Sequence, residues 1–131
     1  MNGQQIEFIA DTSAVIRLCR GDEKIAGEIH GKNFAVTFVT MAELVVGVLK
    51  SNKPEAAWAR IKEVLRGQKI IPVSPATPNI YARIYVDLEK NGALIPVNDI
   101  WIAALASERQ LPILARDKHF SRIKNLTVIT C

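Results

Sequence analysis

Asp11 comes just after a mostly apolar run, Ile6 to Ile9 with one Glu among the four, and is followed at once by two hydroxyls, Thr12 and Ser13. The run reads as a buried strand, and a helical pattern of Val15, Ile16, Leu18 and Cys19 begins directly after it. In an open α/β sheet, ligands bind beyond the carboxyl ends of strands, where strand order reverses. Asp11 therefore stands where chemistry would be done, although an Asp in that place also serves as a helix cap. Three further acids share this double character. Glu43 lies three residues after Thr40, the spacing of a capping box. Asp99 follows Asn98 at a helix start, where the helix dipole favours negative charge. Asp117 follows the strand-like ILAR and is placed to cap the turn after it.

Each acid has an adequate local explanation, but the joint pattern carries more. In a parallel sheet all strand carboxyl ends lie on one edge, so Asp11, Glu43 and Asp117 are expected to converge there. Asp99 opens a helix that must return to the opposite edge, so it begins on the same side. Four carboxylates without balancing Lys or Arg at matching positions repel strongly at low effective dielectric. The usual resolution is a divalent cation with oxygen ligands, Mg²⁺ or Mn²⁺. Such an ion suits phosphoryl chemistry, because it generates hydroxide from water and stabilises charge during in-line attack.

The elements that must hold these acids alternate. After the first strand, a helix over Thr12–Cys19 ends near Arg20-Gly21, and a second helix runs from Asp22 to about His30. Phe34 to Val39 is rich in β-branched and aromatic residues and reads as a strand. Thr40 opens a helix that stops around Asn52-Lys53-Pro54, and Pro54 starts another that reaches Gly67. Lys69–Val73 is a short strand, and a long helix after Pro75 and Pro78 ends at Asn91-Gly92. Asn98 caps a helix with Ile100, Trp101, Ala104 and Leu105. Leu111–Ala115 is a strand, Asp117–Phe120 a turn or helical stub, and Leu126–Thr130 the last strand. This alternation predicts a three-layer α/β/α sandwich around a parallel sheet of about five strands.

The 131 residues suit a single domain, 1–131, with no place to divide it. Composition is that of a globular protein, 49% hydrophobic and 23% charged. No apolar run is long enough to span a membrane, and the first residues lack the pattern of a signal peptide. Cys19 and Cys131 make no disulfide framework, which points to a reducing compartment and a cytoplasmic protein. The net charge of +4, from 17 basic and 13 acidic residues, is compatible with a nucleic-acid partner. There is no GxxxxGK[ST] or GxGxxG loop for nucleotides and no GxSxG elbow for acyl transfer. His30 and His119 are too far apart for a helical zinc pair and read as structural.

The segments FIADTSAVI, VTMAELVVGVLKS, GALIPVNDIWIAALA and LPILARDKHFSRI, in this order and spacing, resemble the PIN-domain ribonucleases. The resemblance is strongest to the VapC-like toxins of toxin–antitoxin pairs and covers nearly the whole chain. It implies a PIN-like fold with strand order 3-2-1-4-5 and Mg²⁺-dependent endonucleolytic cleavage of RNA. It further implies that Asp11, Glu43, Asp99 and Asp117 are the catalytic and metal-binding acids, with Thr12 or Ser13 as the supporting hydroxyl. A homodimer and a small antitoxin partner are implied as well. Leu44, Val45, Val48, Leu49, Trp58, Ile61 and Leu65 form two adjacent apolar helical faces, most of which a core would use. Trp58 and Tyr81 are candidates for a protein interface. Arg17, Arg20, Lys50, Arg116 and Lys118 are candidates for RNA phosphates, with Arg116 and Lys118 flanking Asp117.

Three other readings compete. Phosphoaspartyl chemistry at Asp11 is poorly served, since IADTS lacks a second Asp two residues on and Lys118 is a weak stand-in for a receiver's lysine. A non-catalytic RNA- or protein-binding module would use all four acids as caps. A stand-alone RNA-processing nuclease would use the same acids without an antitoxin.

Overall fold

Phe8, Ile9 and Ala10 carry no polar side chain and are all buried, which only the middle of a sheet covered on both faces allows. A computed structural model describes residues 5–116 and 118–131 of the chain and places them there. In chain order the elements are β1 (Phe8–Ala10), α1 (Thr12–Cys19), α2 (Glu23–Ile29), β2 (Phe34–Thr37), α3 (Phe38–Lys50) and α4 (Pro54–Val64). There follow β3 (Lys69–Ile71), α5 (Thr77–Lys90), α6 (Val97–Arg109), β4 (Ile113–Ala115), a 3₁₀ helix (Lys118–Arg122) and β5 (Val128–Thr130). The sheet has the order β3-β2-β1-β4-β5 and every pairing is parallel. Strand order reverses between β1 and β4, with Ile9 opposite Ile113 and Ala10 opposite Leu114.

The pleat divides the strand side chains between two cores. Ile9, Ala35, Ile113 and Ala115 pack with Leu88 of α5 and the Ile100, Ile102 and Leu105 side of α6. Phe8, Ala10, Phe34, Val36 and Leu114 face the other way, onto Val15, Ile25, Leu44 and Ile61 of α1 to α4. The expected α/β/α layering and the 3-2-1-4-5 order are therefore both present. Phe8 and Phe34 stack across β1 and β2 with ring centroids 5.8 Å apart.

Two helix starts differ from the sequence reading, and both bear on the acids. β2 stops at Thr37 and α3 begins at Phe38, because the Thr37 hydroxyl accepts the Thr40 backbone N–H at 3.3 Å and caps the helix. Phe38 and Val39, strand-like by type, are thus the first helical turn. Glu43 falls in the second turn, so the Thr40–Glu43 capping box does not form. Likewise α6 starts at Val97 after Pro96, whose carbonyl accepts from Asp99 at 3.0 Å, so Asn98 lies inside the first turn and is no cap. Proline's fixed φ, here −54°, sets up the turn that an Asn side chain was expected to set. At the end of α1, Gly21 adopts φ +83°, and the N–H groups of Gly21 and Asp22 return to the Leu18 and Arg17 carbonyls. That closure follows the Schellman pattern and brings Asp22 beside Arg17.

Candidate active site

Asp11 occupies the first position beyond β1, next to the strand-order reversal, and is only 4% exposed. It is the N-cap of α1, with Oδ1 accepting the Ala14 backbone N–H at 2.9 Å. The Ser13 hydroxyl lies 3.0 Å from both carboxylate oxygens and donates across them. The cap and the buried carboxylate are therefore one feature, and the local explanation of Asp11 does not exclude the chemical one.

Thr12, the next residue, reaches the other way. Its Oγ1 donates to Glu43 Oε1 at 2.7 Å and lies 2.9 Å from Thr40 Oγ1. The start of α1 thus ties Asp11 to an acid on α3. Glu43 Oε2 has no protein hydrogen bond among the described residues. Asp99, in the first turn of α6, is partly exposed, and its Oδ2 lies 3.2 Å from His119 Nδ1 at the start of the 3₁₀ helix. The sequence reading left His119 as structural, whereas it touches one of the four acids. Its signal was its place two residues beyond Asp117. Asp117 itself lies outside the described residues. Arg116 and Lys118 are both exposed.

The candidate acids offer hard oxygen donors, which suit a small divalent cation. Among the described residues no three His, Cys, Asp or Glu side chains stand close enough to hold an ion unaided. Mg²⁺ keeps several waters and takes only one or two carboxylates directly, so carboxylates such as Asp11 and Glu43, whose elements Thr12 ties together, fit such an ion without a closed cage.

Arg17, one of the expected phosphate contacts, is committed elsewhere. Its Nε and Nη2 donate to Asp22 Oδ2 at 2.9 and 2.7 Å. The backbone N–H of Ile25 and the Arg17 guanidinium hold the Asp22 carboxyl below its ordinary value. Arg20 instead lines an open groove of about 410 Å³ between α1, α3 and α4, together with Glu43, Arg60, Leu44, Val48 and Ile61. Cys19 borders the same groove, and burial raises its thiol pKa. Arg60 fixes the groove wall by donating to the Cys19 and Leu18 carbonyls at 3.1 and 3.3 Å.

Of the apolar helical residues singled out from the sequence, Leu44 and Ile61 are buried, and Val48, Trp58 and Leu65 pack against them. Val45 and Leu49 remain outside, 37% and 78% exposed, beside Val46 at 51%. Tyr81 stacks on Trp101 at 4.0 Å between centroids, so its ring is used within the fold. No helix among the described residues is long and apolar enough to cross a membrane.

The PIN domain family matches residues 8–126. The chain is similar to Ribonuclease VapC5 of Mycobacterium tuberculosis, 34% identical over 117 residues that cover 88% of this chain and 86% of that protein. Among solved structures it is similar to VapBC-5 from the same organism, a member of the VapBC family of toxin-antitoxin systems. That match has a TM-score of 0.78 at 28% identity and covers 97% of this chain and 100% of that one. VapBC2 from Rickettsia felis, bound to a DNA fragment from its promoter, shares the fold with a TM-score of 0.90 at 23% identity over 95% and 98% of the two chains. The chain belongs to the PIN-domain family, among the VapC ribonucleases.

Proposed function

We propose that this protein is the toxin of a toxin–antitoxin pair and hydrolyses RNA phosphodiester bonds endonucleolytically with a carboxylate-held Mg²⁺, which Mn²⁺ can replace. The observation that carries the reading is the buried Asp11 at the end of the central strand, joined through Thr12 to Glu43 at 2.7 Å. Family membership supports the same conclusion.

Asp11, Glu43, Asp99 and Asp117 would hold the ion. When bound, it supplies positive charge against the phosphodiester oxygens and a route to hydroxide at neutral pH. The residues of the chain do the rest. Ser13 and the Ala14 N–H hold both oxygens of Asp11 in place. Thr12 fixes one oxygen of Glu43, and the other would be the one to take an ion or a water. His119 steadies one oxygen of Asp99. Arg116 and Lys118, exposed on either side of Asp117, place the RNA backbone by its phosphates. Water adds to phosphorus, the P–O bond to the leaving nucleoside breaks, and the departing oxygen takes a proton.

The similarity to VapBC-5, a member of the VapBC family of toxin-antitoxin systems, supports a small antitoxin partner here. The groove between α1, α3 and α4 supplies an apolar floor and the Arg20 and Arg60 cations for such a chain, and its rim includes Glu43. The exposed Val45, Val46 and Leu49 of α3 support a homodimer. Both activities belong in the cytoplasm, where Cys19 and Cys131 stay reduced.

The deciding experiment incubates purified protein with total cellular RNA in Mg²⁺, in Mn²⁺ and in EDTA, beside Asp11→Asn. Cleavage that needs metal and is lost in the variant supports the assignment. Cleavage that persists in EDTA or in Asp11→Asn sinks it.

A further inference from the structure

Thr40 was read from the sequence as a helix cap, and the structure removes that job, since Thr37 caps α3. Thr40 is nonetheless fully buried, and its hydroxyl sits 2.9 Å from Thr12 Oγ1. A threonine hydroxyl has one hydrogen to give and lone pairs to receive. Thr12 gives its hydrogen to Glu43 Oε1 at 2.7 Å, because an ionised carboxylate only accepts. The hydrogen between the two threonines must therefore come from Thr40. The bonds run one way, Thr40 to Thr12 to Glu43.

We infer that Thr40 is a positioning residue for the ribonuclease site, acting on Glu43 through the Thr12 hydroxyl; this rests on the ribonuclease reading above. A hydroxyl that receives a hydrogen bond is a better donor in its turn, since chained hydrogen bonds polarise one another. Thr40 also removes the rotational freedom of Thr12, whose hydroxyl would otherwise be held at one end only. Because Thr40 is sealed from solvent, water cannot take its place when its hydroxyl is removed. The direct hydrogen-bond partner of a metal-binding side chain, here Thr12, is typically worth about 10- to 100-fold in metal affinity or activity, and Thr40, one bond further out, acts at the lower end of that range.

The test compares wild type with Thr40→Val, Thr40→Ser, Thr12→Val and the double variant Thr12→Val/Thr40→Val. It reads Mn²⁺ affinity without RNA, kcat and KM for RNA cleavage, and thermal melting. Thr40→Val is expected to weaken Mn²⁺ binding and lower kcat by about tenfold or more, with KM for RNA unchanged. Thr40→Ser keeps the hydroxyl and is expected to stay within about threefold of wild type. If Thr40 acts through Thr12, the double variant is no worse than Thr12→Val alone. Should Thr40→Val melt below the assay temperature, Thr40→Cys, small and only a weak donor, takes its place with the same loss expected. Wild-type values in Thr40→Val, additive losses in the double variant, or failure of Thr40→Ser to restore function each overturn the inference while the ribonuclease reading stands. A wild-type protein that neither binds Mn²⁺ nor cuts RNA overturns both.

Discussion

His119 Nδ1 lies 3.2 Å from Asp99 Oδ2, which links the 3₁₀ helix after β4 to the first turn of α6. Both side chains are partly open to solvent, at 33% and 24%, so the pair is worth little as a stability element. Its use is positional: an imidazole against one oxygen limits the orientations open to the Asp99 carboxylate. His119→Leu is expected to leave melting within a few degrees and to weaken Mn²⁺ binding by about tenfold. An unchanged Mn²⁺ titration would mean that the contact is incidental to the site.

Asp11 can be divided into its two roles by choice of substituent. Asn caps helices about as well as Asp, whereas Ala costs about 1 kcal/mol at such a position. Asp11→Asn is therefore expected to melt close to wild type and to lose RNA cleavage by at least about 100-fold, the scale seen when one preorganised electrostatic group is removed from a reacting centre. Asp11→Ala should lose both cleavage and stability. Denaturant unfolding and a cleavage time course on the same preparations decide it. Asp11→Asn cutting RNA at the wild-type rate would reduce Asp11 to a cap.

The path from Ile6 to Cys19 was legible because an apolar run, an acid and a helical period follow one another without overlap. The alternation of elements gave the layers, and the resemblance gave the strand order. The start of α3 was not legible, since Phe38 and Val39 favour strands by type and only the Thr37 side chain, turned onto the Thr40 N–H, breaks the strand. Convergence of the acids was readable only coarsely. A shared sheet edge brings strand ends to about 4.8 Å from one another, while a cation needs oxygens at about 2.1 Å. Among the described residues the acids form no three-membered cluster, and what links two of their elements is side-chain contact between residues 28 and 31 apart, Thr12 with Thr40 and with Glu43. No local pattern encodes them.

Leu49 is 78% exposed at the end of α3, close to Val45 and Val46. A monomer gains nothing from an apolar side chain there, so changing it tests assembly without disturbing the core. Leu49→Asp is expected to alter folding stability by no more than about 0.5 kcal/mol, as for other surface changes. If two copies meet through this face, light scattering at a fixed concentration will show a shift from dimer toward monomer. A dimer of undiminished stability would place the contact elsewhere on the surface.

Glu108 near the end of α6 accepts the hydroxyls of Ser74 and Thr77, the latter at 2.6 Å. Thr77 is fully buried at the start of α5, so the three side chains fasten the α5–α6 pair at one end. The Ser74 hydrogen bond first, and the Thr77 one after it, hold the Glu108 carboxyl below its ordinary value of 4.5. A folded-state pKa below the unfolded one means that the unfolded chain binds the proton more readily. The stabilisation is therefore complete above the unfolded value and fades as pH falls through the folded one. Asp22, lowered by the Ile25 N–H and by Arg17, acts in the same direction and over the same acidic range. Glu108→Gln is expected to reduce stability at pH 7 and to flatten its decline between about pH 5 and pH 3, the range in which such carboxylates titrate. Urea midpoints measured at pH 7, 5, 4 and 3 for both proteins provide the check. Parallel curves across that range would show that the Ser74–Glu108–Thr77 contact makes no difference to acid stability.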